Sequence, residues 1–188
     1  MRIVGGKHRG RTLKAPAGRA VRPTSVRARE ALFDILAHGR LGGPALSETT
    51  VLDVFAGTGA LGLEALSRGA AEVFALENDP ATVRCLAANA KMLGEAERVR
   101  LIQADATHPP PAPGAADIAF LDAPYNSGLA APALAALAQA GWLTPGALVI
   151  VETASKEGEG IDPPEGFERL EARRYGSARL SFLRFIGV

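Results

Sequence analysis

The spacing of apolar positions divides the chain into three parts. From Thr49 onward, short apolar runs alternate with longer stretches of helical spacing. Val51–Phe55, Val73–Glu77, Val99–Gln103, Ile118–Leu121 and Leu148–Val151 read as strands, each an apolar run of strand length. Between them, Leu61, Leu63 and Leu66 mark one helix, Pro80 to Leu93 a second, and Leu129 to Ala140 a third; Pro80 suits a first helical turn. Such alternation predicts a parallel sheet with helices on both faces. Phe167–Arg174 and Arg179–Ile186, separated by Gly176, read as an antiparallel hairpin. Ahead of all this, Arg2–Val4 and Arg11–Leu13 are short extended runs around turn-forming glycines. A helix follows, capped by Thr24, with Val26, Leu32, Phe33, Ile35 and Leu36 on its apolar side. Gly39, Gly42, Gly43 and Pro44 then read as a linker, and residues 108–116 as a Pro-rich surface loop without chemistry.

Length and composition narrow the class. The 188 residues, 47% hydrophobic and 22% charged, suit one globular domain with a small appendage and exclude a mainly disordered chain. One cysteine, Cys85, excludes an intrachain disulfide, and with only three histidines no metal site is expected. No apolar run approaches the roughly 20 residues that span a bilayer, and the first residues do not form a signal peptide. A soluble cytoplasmic protein is expected. The net charge of +1 conceals an asymmetry: residues 1–40 hold ten Lys or Arg against two acids, the rest eleven against eighteen. A basic arm on an acidic body points to a phosphate-rich partner.

Chemistry concentrates at the ends of the predicted strands. Asp53-Val-Phe55-Ala-Gly57-Thr-Gly59-Ala-Leu-Gly62 is a Gly-rich strand-to-helix turn that lets a ligand approach the backbone. Its GxGxxG spacing, with Glu77 20 residues after Gly57, also fits a dinucleotide site. Asp53 would repel a pyrophosphate yet attract an ammonium, which favours S-adenosylmethionine over a nicotinamide cofactor. Glu77, followed by Asn78, suits the two ribose hydroxyls; Asp105, followed by Ala106, suits the adenine amino group. Ligands of open α/β sheets bind at these carboxyl ends. The stretch Asp122-Ala123-Pro124-Tyr125 after the fourth strand resembles the (D/N)PP(Y/F) signature of amino-group methyltransferases. A nucleobase amine is a poor nucleophile because its lone pair is delocalised into the ring. The Asp122 carboxylate and a backbone carbonyl can accept its N–H bonds, and Tyr125 offers a stacking face for an extruded base.

Three segments together carry a wider resemblance: Arg2-Ile-Val-Gly-Gly-Lys7-His-Arg9-Gly-Arg11; Arg22-Pro-Thr with Arg27-Ala-Arg-Glu-Ala-Leu-Phe; and the Gly-rich motif through Arg68-Gly. The chain resembles the bacterial 16S ribosomal RNA (guanine(966)-N(2))-methyltransferase family over nearly its whole length. That resemblance implies the seven-stranded class I methyltransferase fold, with the last hairpin supplying the antiparallel strand. It also implies methyl transfer from S-adenosylmethionine to guanine N2 of 16S rRNA, in the small ribosomal subunit or its assembly intermediate, by a monomer. Residues 1–44 are then a basic hairpin-and-helix extension that grips RNA through Lys7, Arg9, Arg11, Arg22 and Arg27, and residues 45–188 the catalytic domain. Ala123 departs from the family, which usually has two prolines before the aromatic residue; alanine keeps the carbonyl but releases φ. The other readings open to the sequence are a DNA adenine-N6 or other RNA amino methyltransferase, and a non-catalytic RNA-binding assembly factor.

Overall fold

The computed structural model describes residues 1–16, 26–39, 41–156 and 160–187. The predicted cap Thr24 and the RNA-binding candidate Arg22 lie outside them. Seven strands form one sheet: β1 (Thr50–Val54), β2 (Glu72–Glu77), β3 (Val99–Gln103), β4 (Ala116–Leu121), β5 (Leu143–Ala154), β6 (Phe167–Tyr175) and β7 (Ala178–Phe185). Their order is β3-β2-β1-β4-β5-β7-β6, parallel from β3 to β5, with β7 antiparallel to both neighbours. Among the described residues four α-helices accompany them: α1 (Val26–Ala37), α2 (Ala60–Ser67), α3 (Pro80–Leu93) and α4 (Ala130–Gln139). The strand order reverses between β1 and β4, which opens a crevice at their carboxyl ends.

The central strands are apolar because both faces are covered. On one face Val51, Ile118, Phe120, Leu148 and Ile150 pack with residues of α1, α2 and α3, and the Phe33 ring meets Phe120 edge-on at 5.7 Å. On the other, Leu52, Val54 and Val149 pack with Leu134 and Leu137 of α4 and with Trp142. Pro80 opens α3, the Asp79 carboxylate accepts the Thr82 N–H at 3.1 Å, and Gly94 closes the helix at φ +74°. β5 is longer than the apolar run Leu148–Val151. It is extended toward its N-terminus by the Leu143–Ala116 pairing across a bulge, and toward its C-terminus by β7, which pairs Thr153 with Arg179 and Ala154 with Ala178.

The basic arm is seated on the body. Its two extended runs meet in one bridge, Arg2 to Thr12, around a 3-10 turn at Gly6–His8. The Ile3 and Leu13 N–H groups donate across the pair to the Arg11 and Met1 carbonyls at 3.0 and 2.8 Å, whereas others turn to the body. The Val4 and Gly5 N–H groups donate to the buried Glu64 carboxylate at 2.8 and 2.7 Å, and the His8 N–H to Ser67 Oγ at 2.9 Å. Ile3 and Leu13 are 1% and 2% exposed and belong to the same apolar cluster as Leu63 and Phe120. Arg29 of α1 is fully buried and donates to the Arg2 carbonyl at 3.0 Å, joining helix to arm. Residues on both sides of the position 44/45 boundary therefore share one core.

Candidate active site

The crevice is built from the carboxyl ends of β1, β2, β4 and β5. Asp53, one residue before the end of β1, is 2% exposed, and its Oδ2 accepts the Gly62 N–H from α2 at 2.8 Å. A Cβ at Gly62 would come within 2.8 Å of Val73 and 3.0 Å of Asp53 Oδ2, so this third glycine serves the approach of helix to strand. Gly57 has φ +57°, and an added Cβ would find nothing nearer than the Phe55 carbonyl at 3.8 Å; the backbone there is open to a ligand. Phe55 itself takes φ +59° as the chain leaves the strand.

Electrostatics at Asp53 point to a cationic ligand. Burial, countered in part by the Gly62 N–H and reinforced by the charges of Asp122 and Glu77, pushes its pKa up to about 8. Asp53 thus lies within electrostatic reach of Asp122 and Glu77, and a positive group beside it would favour its ionised form. Glu77 closes β2 and is pinned at both oxygens: Oε2 accepts the Gly57 N–H and Oε1 the Asp79 N–H, each at 2.9 Å. It links the Gly-rich turn to the start of α3, while the neighbouring Asn78 is exposed.

Asp105, after β3, is exposed. Its Oδ1 accepts the Thr107 N–H and Oγ1 at 2.9 and 2.8 Å, and these bonds hold its carboxyl below the usual range. Ala106 is buried in the α4-side cluster. Asp122 follows β4, between the Asp53 strand and β5, and its N–H reaches the Val54 carbonyl at 3.4 Å. Ala123 is buried and Pro124 exposed. Tyr125 is half-buried, and its hydroxyl donates to Glu152 Oε1 at 2.6 Å.

Two side chains at this site escape the sequence reading. Glu152 is 6% exposed and lies beyond Val151, where the apolar run stops; the rule that singled out Asp53, Glu77 and Asp105 at strand ends would have found it. Asn89 of α3 is fully buried. Its Nδ2 donates to the Thr58 and Lys14 carbonyls at 3.0 Å, and its Oδ1 accepts the Lys14 N–H at 2.8 Å, tying the arm to the Gly-rich turn.

The arginines and lysine expected to meet RNA are dispersed. Lys7 pairs with Glu95 at 2.7 Å, the Arg11 guanidinium reaches the Met92 carbonyl at 3.5 Å, and Arg9 and Arg27 are exposed. Glu95 and Ser67 follow or end α3 and α2, at the opposite end of the sheet from Asp53. Among the described residues no helix is long and apolar enough to cross a membrane.

The family model described as conserved hypothetical protein 95 matches residues 1–184. The chain is 39% identical over 159 residues to ribosomal RNA small subunit methyltransferase D of Escherichia coli K12, covering 84% of this chain and 77% of that one. To the protein of the same name from Haemophilus influenzae it is 34% identical over 180 residues, covering 94% and 89%. Its fold superposes on a solved structure described as putative methyltransferase yhhF from Escherichia coli with a TM-score of 0.81 and 32% identity, covering 100% and 99% of the two chains. An RNA methyltransferase from Salinibacter ruber, solved in complex with S-adenosyl-L-homocysteine, shares the fold at a TM-score of 0.65 and 17% identity, covering 88% and 94%.

Proposed function

Because the chain belongs to the ribosomal RNA small subunit methyltransferase D family, we propose that it methylates the exocyclic N2 of a guanine in 16S rRNA, in the small subunit or its assembly intermediate. It is an S-adenosylmethionine-dependent rRNA methyltransferase. The cofactor supplies an electrophilic methyl on a sulfonium centre. The residues present suit it: a buried carboxyl at Asp53 whose charge burial disfavours, an open backbone at Gly57, and Glu77 at the end of β2, where its carboxylate would accept the ribose hydroxyls.

The observation that carries the amine-methylation reading is the placement of Asp122 beside the end of β1, where its N–H reaches the carbonyl of Val54, the residue after Asp53, at 3.4 Å. An amine held by Asp122 therefore lies beside the cofactor pocket. In this reading Asp122 accepts an N2–H bond, the Ala123 carbonyl accepts the other, and the nitrogen lone pair is turned toward the methyl. Tyr125 stacks on the extruded base. Transfer would break the S–CH3 bond, the electron pair staying on sulfur as S-adenosylhomocysteine leaves, and the proton shed by N2 would pass to the Asp122 carboxylate that accepts its N–H in this reading.

The test is transfer of tritiated methyl to small subunits prepared from cells lacking this enzyme, followed by nucleoside analysis. N2-methylguanosine is expected; label in another base would overturn the guanine assignment. Asp122→Ala should cut single-turnover transfer by about a hundredfold or more, in the range of general-base loss, while cofactor affinity stays within about twofold.

A further inference from the structure

We infer that Glu152 is a positioning residue for methyl transfer, holding the Tyr125 ring through its hydroxyl; this rests on the amine-methylation reading of the Asp122–Tyr125 loop. Tyr125 stands on an irregular segment between β4 and α4, where Asn126 takes φ +58°. Ala123, unlike a proline, leaves the loop's φ unfixed. Glu152, by contrast, sits inside β5, paired to Leu180 of β7 and 6% exposed. The 2.6 Å O–H···O distance is that of a hydrogen bond to a charged acceptor. The distal end of a loop-borne ring is thereby fastened to a central strand.

Stacking alone needs only the ring face and tolerates a swing of several degrees. Transfer needs the amine in line with the methyl, and small misplacements of a reacting group are costly. The tether should therefore act on the chemical step more than on binding. It also gives Tyr125 a role for its hydroxyl that stacking does not supply.

The experiment is a double-mutant cycle on the full chain with small subunits as substrate, reading single-turnover rate at saturating RNA and cofactor, RNA affinity, and the methylated nucleoside. Tyr125→Phe keeps the ring, and we expect it to slow transfer about tenfold, the effect of one hydrogen bond to a charged group. RNA and cofactor affinities should change by less than about twofold. Glu152→Leu should match it. Glu152→Gln, which retains an acceptor oxygen, should be milder, and combined with Tyr125→Phe it should add nothing. A Tyr125→Phe enzyme at wild-type rate, or multiplicative losses in the double variant, would overturn the tether. A loss confined to RNA affinity would overturn it too, because it would make Glu152 merely structural. Methyl on a different base would overturn the guanine reading while the cycle still decides the tether; no transfer by the wild-type protein would overturn both.

Discussion

Asp53 shows how much the surroundings of one residue change its chemistry. In an unfolded chain its carboxyl ionises near 3.8, whereas in the folded, ligand-free pocket burial lifts that to about 8. The folded state thus binds the proton more tightly. The contribution of this group to stability is greatest below pH 3.8, declines as pH rises between the two values, and is constant above the higher one. Asn is a close match to the protonated form. Asp53→Asn should therefore stabilise the ligand-free protein much more at about pH 8.5 than at about pH 5, as thermal denaturation across that range will show. Equal shifts at both pH values would mean that Asp53 is ionised throughout. A cofactor ammonium beside Asp53 would reverse the balance by favouring the carboxylate, so a side chain that burdens the empty fold would serve the loaded one.

At the scale of elements, the arm and the helices it rests on behave as one unit. Glu95, just past Gly94 at the end of α3, is 2% exposed and is engaged by Lys7, His8 and Arg98. Burial alone would raise its pKa, but hydrogen bonds from those three groups and the Arg98 charge outweigh burial and lower it. Its stabilisation is present above the ordinary value of 4.5 and is lost as pH falls through the lowered one. Glu95→Gln should cost about 2 kcal/mol at pH 7, less than a fully buried pair because Lys7 and Arg98 remain partly in water. By denaturant titration that cost should fade below pH 4.5; a pH-independent loss would point to packing instead. Truncating the arm would do more than remove charge. It would strip Ile3 and Leu13 from the core, where large-to-small changes cost about 2–5 kcal/mol each, and leave Glu64 without its backbone donors.

Across the whole molecule, the reactive groups gather at one end of the sheet and the tip of the basic arm at the other. α2 and α3 run between those ends, and the 14 residues of α3 span about 21 Å. An RNA held at both places would lie along the α2–α3 side and set Arg9 and Arg11 against its phosphates. Replacing both by Gln should flatten the slope of log affinity against log salt by about one unit for each phosphate no longer neutralised, measured on small subunits. An unchanged slope there, with a flatter one after replacing Arg173 and Arg174, would put the RNA on the β6–β7 hairpin. The α/β alternation, the Gly-rich turn and the Asp122–Tyr125 segment were legible in the sequence because each is local: period, turn chemistry and motif spacing sit within a few neighbouring residues. The final hairpin was legible for the same reason. Other features depend on partners far along the chain. Val4 and Gly5 find their acceptor in Glu64, Lys14 finds Asn89, and Tyr125 finds Glu152 on another strand. The bounds of β5 are set by Ala116 and by β7. Local pattern was enough to tell which elements form and where the motifs fall on them. Which buried donors and acceptors meet emerges only from the packing, because a desolvated polar group must be paired by whatever packing brings alongside it, and no local spacing encodes that neighbour.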